Sequence, residues 1–149
     1  MKDLIRELNN DHEIISQVMS SLEGHLHKNN FSESLRELQS SLNVLSETML
    51  ANHHEKEEKY LYDWMIKQNK NSDKELIRKL VDDHKCFEVS LQKIKADIEK
   101  YLNNSESVSI GGIGSDLNLL VVQYKEHLDR ESNFIFYIAE TLSQKEKLV

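Results

Sequence analysis

The 149-residue chain contains no proline, one cysteine and only four glycines. Without proline, nothing in the covalent chain interrupts a helix. With one cysteine, Cys86, neither an intramolecular disulfide nor a CxxC site can form. Three of the four glycines lie together in Gly111-Gly112-Ile113-Gly114. No apolar run approaches the roughly 20 residues needed to cross a bilayer. The start, Met-Lys-Asp-Leu-Ile-Arg-Glu, lacks the apolar core of a signal peptide. A reducing, cytoplasmic compartment is therefore the expectation. Basic charge is scarce too: 19 Lys and Arg against 26 Asp and Glu give a formal net charge of −7. That argues against the basic face of a general nucleic-acid binder, and no membrane partner is expected either.

What is present is Leu, Glu, Lys and Ser in long periodic stretches, a composition that reads as all-helical. The length suits a single domain, 1–149, with one sizeable core. Four helices are predicted, over 3–28, 33–68, 74–102 and 115–145. The first stripe is Leu4, Leu8, His12, Ile15, Met19, Leu22, Leu26. The second is Leu38, Leu42, Leu45, Met49, His53, Glu57, Tyr60 or Leu61, Trp64. The third is Ile77, Leu80, His84, Phe87, Leu91, Ile94, Ile98, Tyr101. The fourth is Leu117, Leu120, Tyr124, His127, Glu131, Phe134 or Ile135, Ile138, Leu142. Turns are expected at 29–32 and 69–73, with Ser32 and Glu33 opening the second helix as an N-cap. The connection 103–114, ending in the glycine cluster, is the longest. Short turns make neighbours antiparallel, so the expected architecture is an all-α, up-down-up-down four-helix bundle.

Two runs share one spacing: His53-His54-Glu55-Lys56-Glu57 and His127-Leu128-Asp129-Arg130-Glu131. Each is H-x-x-x-E, which puts an imidazole and a carboxylate side by side on one helix face. His12 and His84 each follow an Asp inside a helical pattern. All six groups continue apolar stripes, so all six face the core. A buried carboxylate or imidazole without a partner costs several kcal/mol. Six of them in one core make sense only if they satisfy one another or share a cation. Folding the chain back at each turn also brings them to a similar height, within about one or two helical turns at roughly 1.5 Å rise per residue.

Imidazole and carboxylate suit iron, manganese or zinc. Six nitrogen and oxygen ligands exceed what one tetrahedral zinc needs, so two metals fit better. The two glutamates can bridge the ions and two histidines can hold each one. With an oxo or hydroxo bridge, each metal reaches about five ligands, leaving an open position on an octahedral ion. Several neighbours have a blander expected role. His54 points roughly 100° from His53 and is expected at the surface, although a register slip of one would pair His54 with Glu58 instead. His25 and His27 read as solvated positions near a helix end. Glu88, four residues after His84, is expected at an exposed rim. Asp11 and Asp83 could accept a hydrogen bond from a ligand histidine, but solvent-facing positions are the expectation. Tyr60, Tyr124 and Trp64 read as core packing, with a redox-active tyrosine as the sharper alternative. Cys86 reads as a small buried or boundary residue.

The motifs together resemble the hemerythrin-like HHE cation-binding family over nearly the full length. Asn-Asp-His12-Glu resembles the first-helix motif, and His53 to Tyr62 resembles the H-x-x-x-E-E-x-x-L-F element. Asp83-His84-Lys85-Cys86-Phe87 resembles the third-helix motif, and His127 to Glu131 with Asn133-Phe134-Ile135-Phe136 the fourth. The resemblance implies a nonhaem diiron centre, two iron ions with an oxo or hydroxo bridge, with manganese or zinc as alternatives. The implied metal ligands are His12, His53, Glu57, His84, His127 and Glu131, with Glu57 and Glu131 bridging. The oxygen carriers of the family use H-x-x-x-H on the third helix, where this chain has Leu80. They use H-x-x-x-x-D on the fourth, where it has H-x-x-x-E. Both departures are shared with the diiron domain of RIC-type iron–sulfur cluster repair proteins. Those proteins carry in addition an N-terminal cysteine pair, which a chain with one cysteine cannot supply.

The expected function is binding of, or reaction with, dioxygen, nitric oxide or peroxide, in sensing or stress protection. One alternative is an iron-donating or nitric oxide- or peroxide-reducing stress enzyme with an electron-donor protein as partner. Another is a structural bundle, metal-free or zinc-bound. A ferritin-like carboxylate bundle fits less well, because that class uses E-x-x-H pairs and here His precedes Glu by four.

Overall fold

The computed structural model describes residues 1–28, 30–69, 74–104 and 106–145, with only the backbone described for Thr48, Met49 and Asn69. Residues 29 and 70–73 of the expected turns, and the expected core side chain of Met49, lie outside the described residues.

Helix α1, Lys2–Leu26, buries Ile5, Leu8, His12, Ile15, Met19 and Leu22. These steps of three and four are the period of one helix face. It ends two residues before the expected Lys28. A 3-10 turn, Phe31–Ser34, then leads into α2, which spans 35–69. The expected Ser32 cap is not formed. Ser34 precedes the helix instead, and its hydroxyl donates back to the Phe31 carbonyl at 2.9 Å. Helix α3 is Lys74–Leu102, as expected. Helix α4 spans 110–145.

The start of α4 corrects the sequence reading. The helix begins at Ile110, not Ser115, so the glycine cluster lies inside its first turns and not in the connection. Ser109 is extended (φ −103°, ψ 145°) and its hydroxyl accepts from the Gly112 N–H at 3.0 Å. That cap nucleates the helix despite the low intrinsic propensity of glycine. The reversal after α3 uses Asn104 at φ 60°, a left-handed position that asparagine tolerates.

Neither α2 nor α4 is a regular α-helix throughout. Helix α2 has π-helical turns at Leu45–Leu50 and Glu57–Tyr62, and α4 has one at Glu131–Ile135. A π-turn accommodates an extra residue and rotates everything beyond it relative to the core. After Glu57 the buried positions are therefore Leu61, Tyr62 and Met65, while Tyr60 is exposed and Trp64 only half-buried. After Glu131 they are Ile135, Phe136, Ala139 and Ser143, in place of the expected Ile138 and Leu142; Phe134 is exposed.

Helix α1 packs against α2 and α4, and α3 packs against the same two helices from the other side. The core comes in two apolar clusters. The larger is centred on Ile15, Met19, Leu38, Leu42, Leu91, Ile94, Leu117 and Tyr124. The smaller holds Ile5, Leu8, Leu61, Tyr62, Met65, Ile77, Leu80, Ile135 and Phe136. Among the described residues, no helix is long and apolar enough to cross a membrane.

Ser109→Ala removes the side-chain acceptor that caps α4. The expected cost is about 1 kcal/mol, a fall in Tm of about 2–4 °C for a domain of this size. Calorimetry checks this; an unchanged Tm would show that the cap is dispensable.

Candidate metal centre

The two apolar clusters are separated along every helix by one polar layer. On α1 it is His12, between Leu8 and Ile15. On α2 it is His53 and Glu57, between Leu50 and Leu61. On α3 it is His84, between Leu80 and Phe87. On α4 it is His127 and Glu131, between Tyr124 and Ile135. All six are buried, and Glu57 and Glu131 have no exposure at all. The 53/57 register is the inward one, and the alternative pairing of His54 with Glu58 is not formed.

The six side chains converge. His53 Nε2 lies 3.1 Å from Glu57 Oε1, and His127 Nε2 lies 2.8 Å from Glu131 Oε1. His12 Nε2 sits 3.7 Å from Glu57 and 3.5 Å from Glu131. His84 Nε2 is 3.4 Å from Glu57 Oε1 and 3.1 Å from His127 Nε2. Two groups result, each with ligand atoms within 4.8 Å of one another: His12, His53, Glu57, Glu131, and His84, His127, Glu57, Glu131. The carboxylates belong to both groups. Each set could hold one cation, with the glutamates shared.

The outer nitrogens of the four histidines are held. His53 Nδ1 meets Asp11 Oδ2 at 3.2 Å, and His127 Nδ1 meets Asp83 Oδ2 at 3.1 Å. His84 Nδ1 meets Glu58 Oε1 at 3.0 Å, and His12 Nδ1 meets Ser132 Oγ at 3.0 Å. A carboxylate can only accept, so the proton of His53, His84 and His127 lies on Nδ1 and the Nε2 lone pair points inward. Asp11 and Asp83 are thus not the solvent-facing residues expected. Each precedes a histidine on its own helix and reaches across to the histidine of the next helix. Lys56 and Arg130 back these aspartates, at 3.2 and 3.6 Å.

These contacts expose a repeat that the H-x-x-x-E spacing only half revealed. Asp11-His12 on α1 and Asp83-His84 on α3 are paired with His53-x-x-Lys56-Glu57-Glu58 and His127-x-x-Arg130-Glu131-Ser132 on α2 and α4. The residue after each glutamate, Glu58 or Ser132, holds the histidine of the opposite half. The readable signal was a D-H dipeptide recurring with a basic residue three places after the paired histidine. Glu58 lies in a charged run, Glu55 to Lys59, whose pattern reads as a solvated face.

Three further side chains complete the surroundings. His54 is not a surface residue. Its ring lies flat on that of His84 (centroids 3.8 Å apart, planes within 6°), and its Nε2 accepts from the Tyr124 hydroxyl at 2.8 Å. Burial, then the neighbouring His84, push its pKa down to about 2, which leaves a neutral acceptor. The Tyr62 hydroxyl donates to Glu131 Oε2; the π-turn at Glu57 brings Tyr62 inward beside Leu61, where the sequence pattern places Tyr60 or Leu61. Tyr124 is fully buried, as expected. Glu88 is exposed, as expected, while Cys86 is exposed and not at a buried boundary. His27 is exposed and His25 half-buried, both far along α1 from the polar layer.

The two buried carboxyls titrate as a pair. Burial, then the charge of Glu131, push Glu57 up to about 8. Burial also opposes ionisation of Glu131, but its close contacts with Glu57, His12 and His127 outweigh it and hold Glu131 well below the usual range. Burial lowers His53 and dominates there. Burial opposes the charge on His12 and His127 too, but their contacts with Glu131 raise both.

Several buried atoms in this layer have no hydrogen-bond partner: Nε2 of His12 and His53, both oxygens of Glu57, and Oε1 of Glu131. His84 and His127 turn two lone pairs toward each other at 3.1 Å. Such atoms are costly in an apolar core, and cations bound between them would satisfy all of them at once. The donor set therefore fits metal ions. Residues 2–139 match the hemerythrin HHE cation binding domain family, and the chain belongs to it. No curated protein and no solved structure matches the chain. A buried His/Glu metal site on a hemerythrin-type bundle is thus the class of protein that fold and site define.

The raised Glu57 value fixes a sign. The metal-free fold holds a proton that the unfolded chain gives up, so this contribution to stability is complete below the ordinary carboxylate value of 4.5 and lost as pH rises through about 8. A cation must displace that proton. At pH 7, uptake of a divalent cation is expected to release at least about one proton per chain, and fewer above about pH 9. Calorimetric titration in two buffers of different ionisation enthalpy measures this; heats independent of the buffer would contradict it.

Proposed function

We propose that the polar layer holds two iron ions, with His12 and His53 on one, His84 and His127 on the other, and Glu57 and Glu131 bridging both. The observation that carries this is the set of partnerless buried Nε2 and carboxylate oxygens, divided into two groups that share their glutamates. Iron there would supply a redox change and an open position for dioxygen, nitric oxide or peroxide. The chain's part is to prepare that position. Asp11, Asp83, Glu58 and Ser132 hold the four rings with Nε2 inward. Tyr62 restrains Glu131, and the Glu57–Glu131 pair takes up charge or a proton when the charge of the site changes. Buried Phe87, Tyr124 and Phe136, packed on the histidine rings at 4.6–5.7 Å, keep bulk water out.

Leu80, four residues before His84, is fully buried in the smaller apolar cluster, so the chain has no fifth histidine at that position. This supports a place nearer the cluster-repair branch than the oxygen carriers. It also favours a stress-protection or sensing role for the site, with an electron-donor protein as partner if the chemistry turns over.

Elemental analysis of protein purified without chelator, with an optical spectrum before and after air and nitric oxide, tests the reading. The expected outcome is about two irons per chain and absorption bands that respond to both gases. One zinc per chain, or no metal with an unchanged fold, would overturn it. The shared glutamates make a sharper prediction: His53→Ala should lower the content to about one iron, whereas Glu131→Ala should remove nearly all. Equal losses in the two variants would argue against two positions sharing carboxylates.

A further inference from the structure

The two halves of the polar layer match in their histidines, aspartates and basic residues but differ in what surrounds them. The residue after the α2 histidine, His53, is His54, whereas the equivalent residue after His127 on α4 is Leu128. Five residues after the glutamates stand Tyr62 and Phe136; three residues before the paired histidines stand Leu50 and Tyr124. The polar members therefore gather on the His84/His127 side: the His54 and Tyr62 rings stack on His84, and Tyr124 lies beside His127. The Tyr62 ring stacks 6.2 Å from His84, whereas Phe136 packs 4.6 Å from His12.

Solvent approaches this side. A cavity of about 490 Å³ opens between α2 and α3, and its lining includes Leu50, Ala51, His54, Glu58 and His84. A liquid water molecule occupies roughly 30 Å³, so the cavity has room for a small molecule with its hydration. Two other cavities, one by Leu26 and Phe31 and one by Ser90 and Asp116, touch none of the six residues. Elsewhere the histidines are backed by buried Phe87, Tyr124 and Phe136. His54 alone among the aromatic neighbours of the cluster is half-buried and lines the cavity. Its ring centroid is 3.8 Å from His84, 6.0 Å from His53 and 6.5 Å from His127. One hydrogen bond, from Tyr124, ties it down.

From this geometry we infer that a small ligand reaches the site from the His84/His127 side, through the cavity between α2 and α3, and that the His54 ring controls its passage. The inference rests on the metal centre proposed above. It makes His54 a positioning residue and not a ligand. The ring lies flat on His84, which itself borders the cavity, and its centroid is 6.0 Å from His53 and 6.5 Å from His127, so a molecule moving inward passes it; the Tyr124 hydrogen bond sets how often the ring swings aside. A net hydrogen bond of ordinary strength corresponds to about two- to tenfold in that frequency.

Stopped-flow mixing of azide with the iron-loaded chain, followed by absorption, tests the route. His54→Ala is expected to raise both the association and dissociation rate constants at least about tenfold, because opening a passage changes both directions alike and leaves Kd nearly constant. Tyr124→Phe should raise both by about two- to tenfold. Ala51→Trp, at an exposed cavity position that tolerates bulk, should slow both at least about threefold. Unchanged rates in His54→Ala and Ala51→Trp, in protein with its full metal content, would overturn the route and leave the metal centre standing. An effect confined to dissociation would do the same, since it would mark His54 as a contact to the bound azide. Wild-type protein that holds no iron would instead overturn the reading beneath it.

Discussion

The structure depends on one desolvation constraint: six ionisable groups occupy a layer that would otherwise be apolar. Glu57 and Glu131 are fully buried and the four histidines nearly so. In water each would be solvated at no cost. In the core each needs a partner, and the arrangement supplies one on the outer side of each histidine and, for Glu131, the Tyr62 hydroxyl. Nδ1 of every histidine is held, while the inner Nε2 and carboxylate oxygens are left facing one another. The layer is costly as bare protein and satisfied with cations in it.

The rest of the fold can be read as support for this layer. The larger and smaller apolar clusters lie on its two sides and clamp the four helices at a common height. Both glutamates open π-helical turns. That placement turns Leu61 and Tyr62, and likewise Ile135 and Phe136, inward as adjacent pairs. One member of each pair seals the apolar cluster and the other reaches a histidine or carboxylate. Without the extra residue the aromatic position would rotate off the core, and Tyr62 would not reach Glu131. The α1–α2 and α3–α4 halves repeat this scheme, and the repetition is what makes two cation positions natural. The departures from the repeat, His54 against Leu128 and Tyr62 against Phe136, make the halves chemically unequal.

Much of the site was legible because helical spacing is a strong constraint. His53 with Glu57 and His127 with Glu131 lie one turn apart whatever the tertiary structure, and their place on apolar stripes marked them as inward-facing. His12 and His84 followed from the same stripes. The connections were legible less well. Three glycines near a helix end suggest a loop, yet the Ser109 cap sits before them and the helix starts there. Tyr60, Ile138 and Leu142 were expected inward because a period of 3.6 was carried through turns that do not obey it. Nothing in the amino-acid pattern announces a π-turn.

The sequence by itself determined the fold class, the four helical stripes and the six inward-facing groups. These follow from periodicity along single helices, which is a local property of the backbone. It also determined the family to which the chain belongs, because the four motifs recur in order. Only the tertiary structure decided who touches whom between helices. Asp11 crosses to His53 and not to its neighbour His12, Asp83 crosses to His127, and Glu58 turns in to His84 while Glu88 stays out. His54, about 100° from His53 on its own helix, faces solvent on any single-helix drawing. It becomes part of the site because α3 and α4 pack against that flank and bring His84 and Tyr124 to it. Rotation about a helix axis tells which way a side chain leaves its own backbone; what it meets there depends on the neighbouring helices.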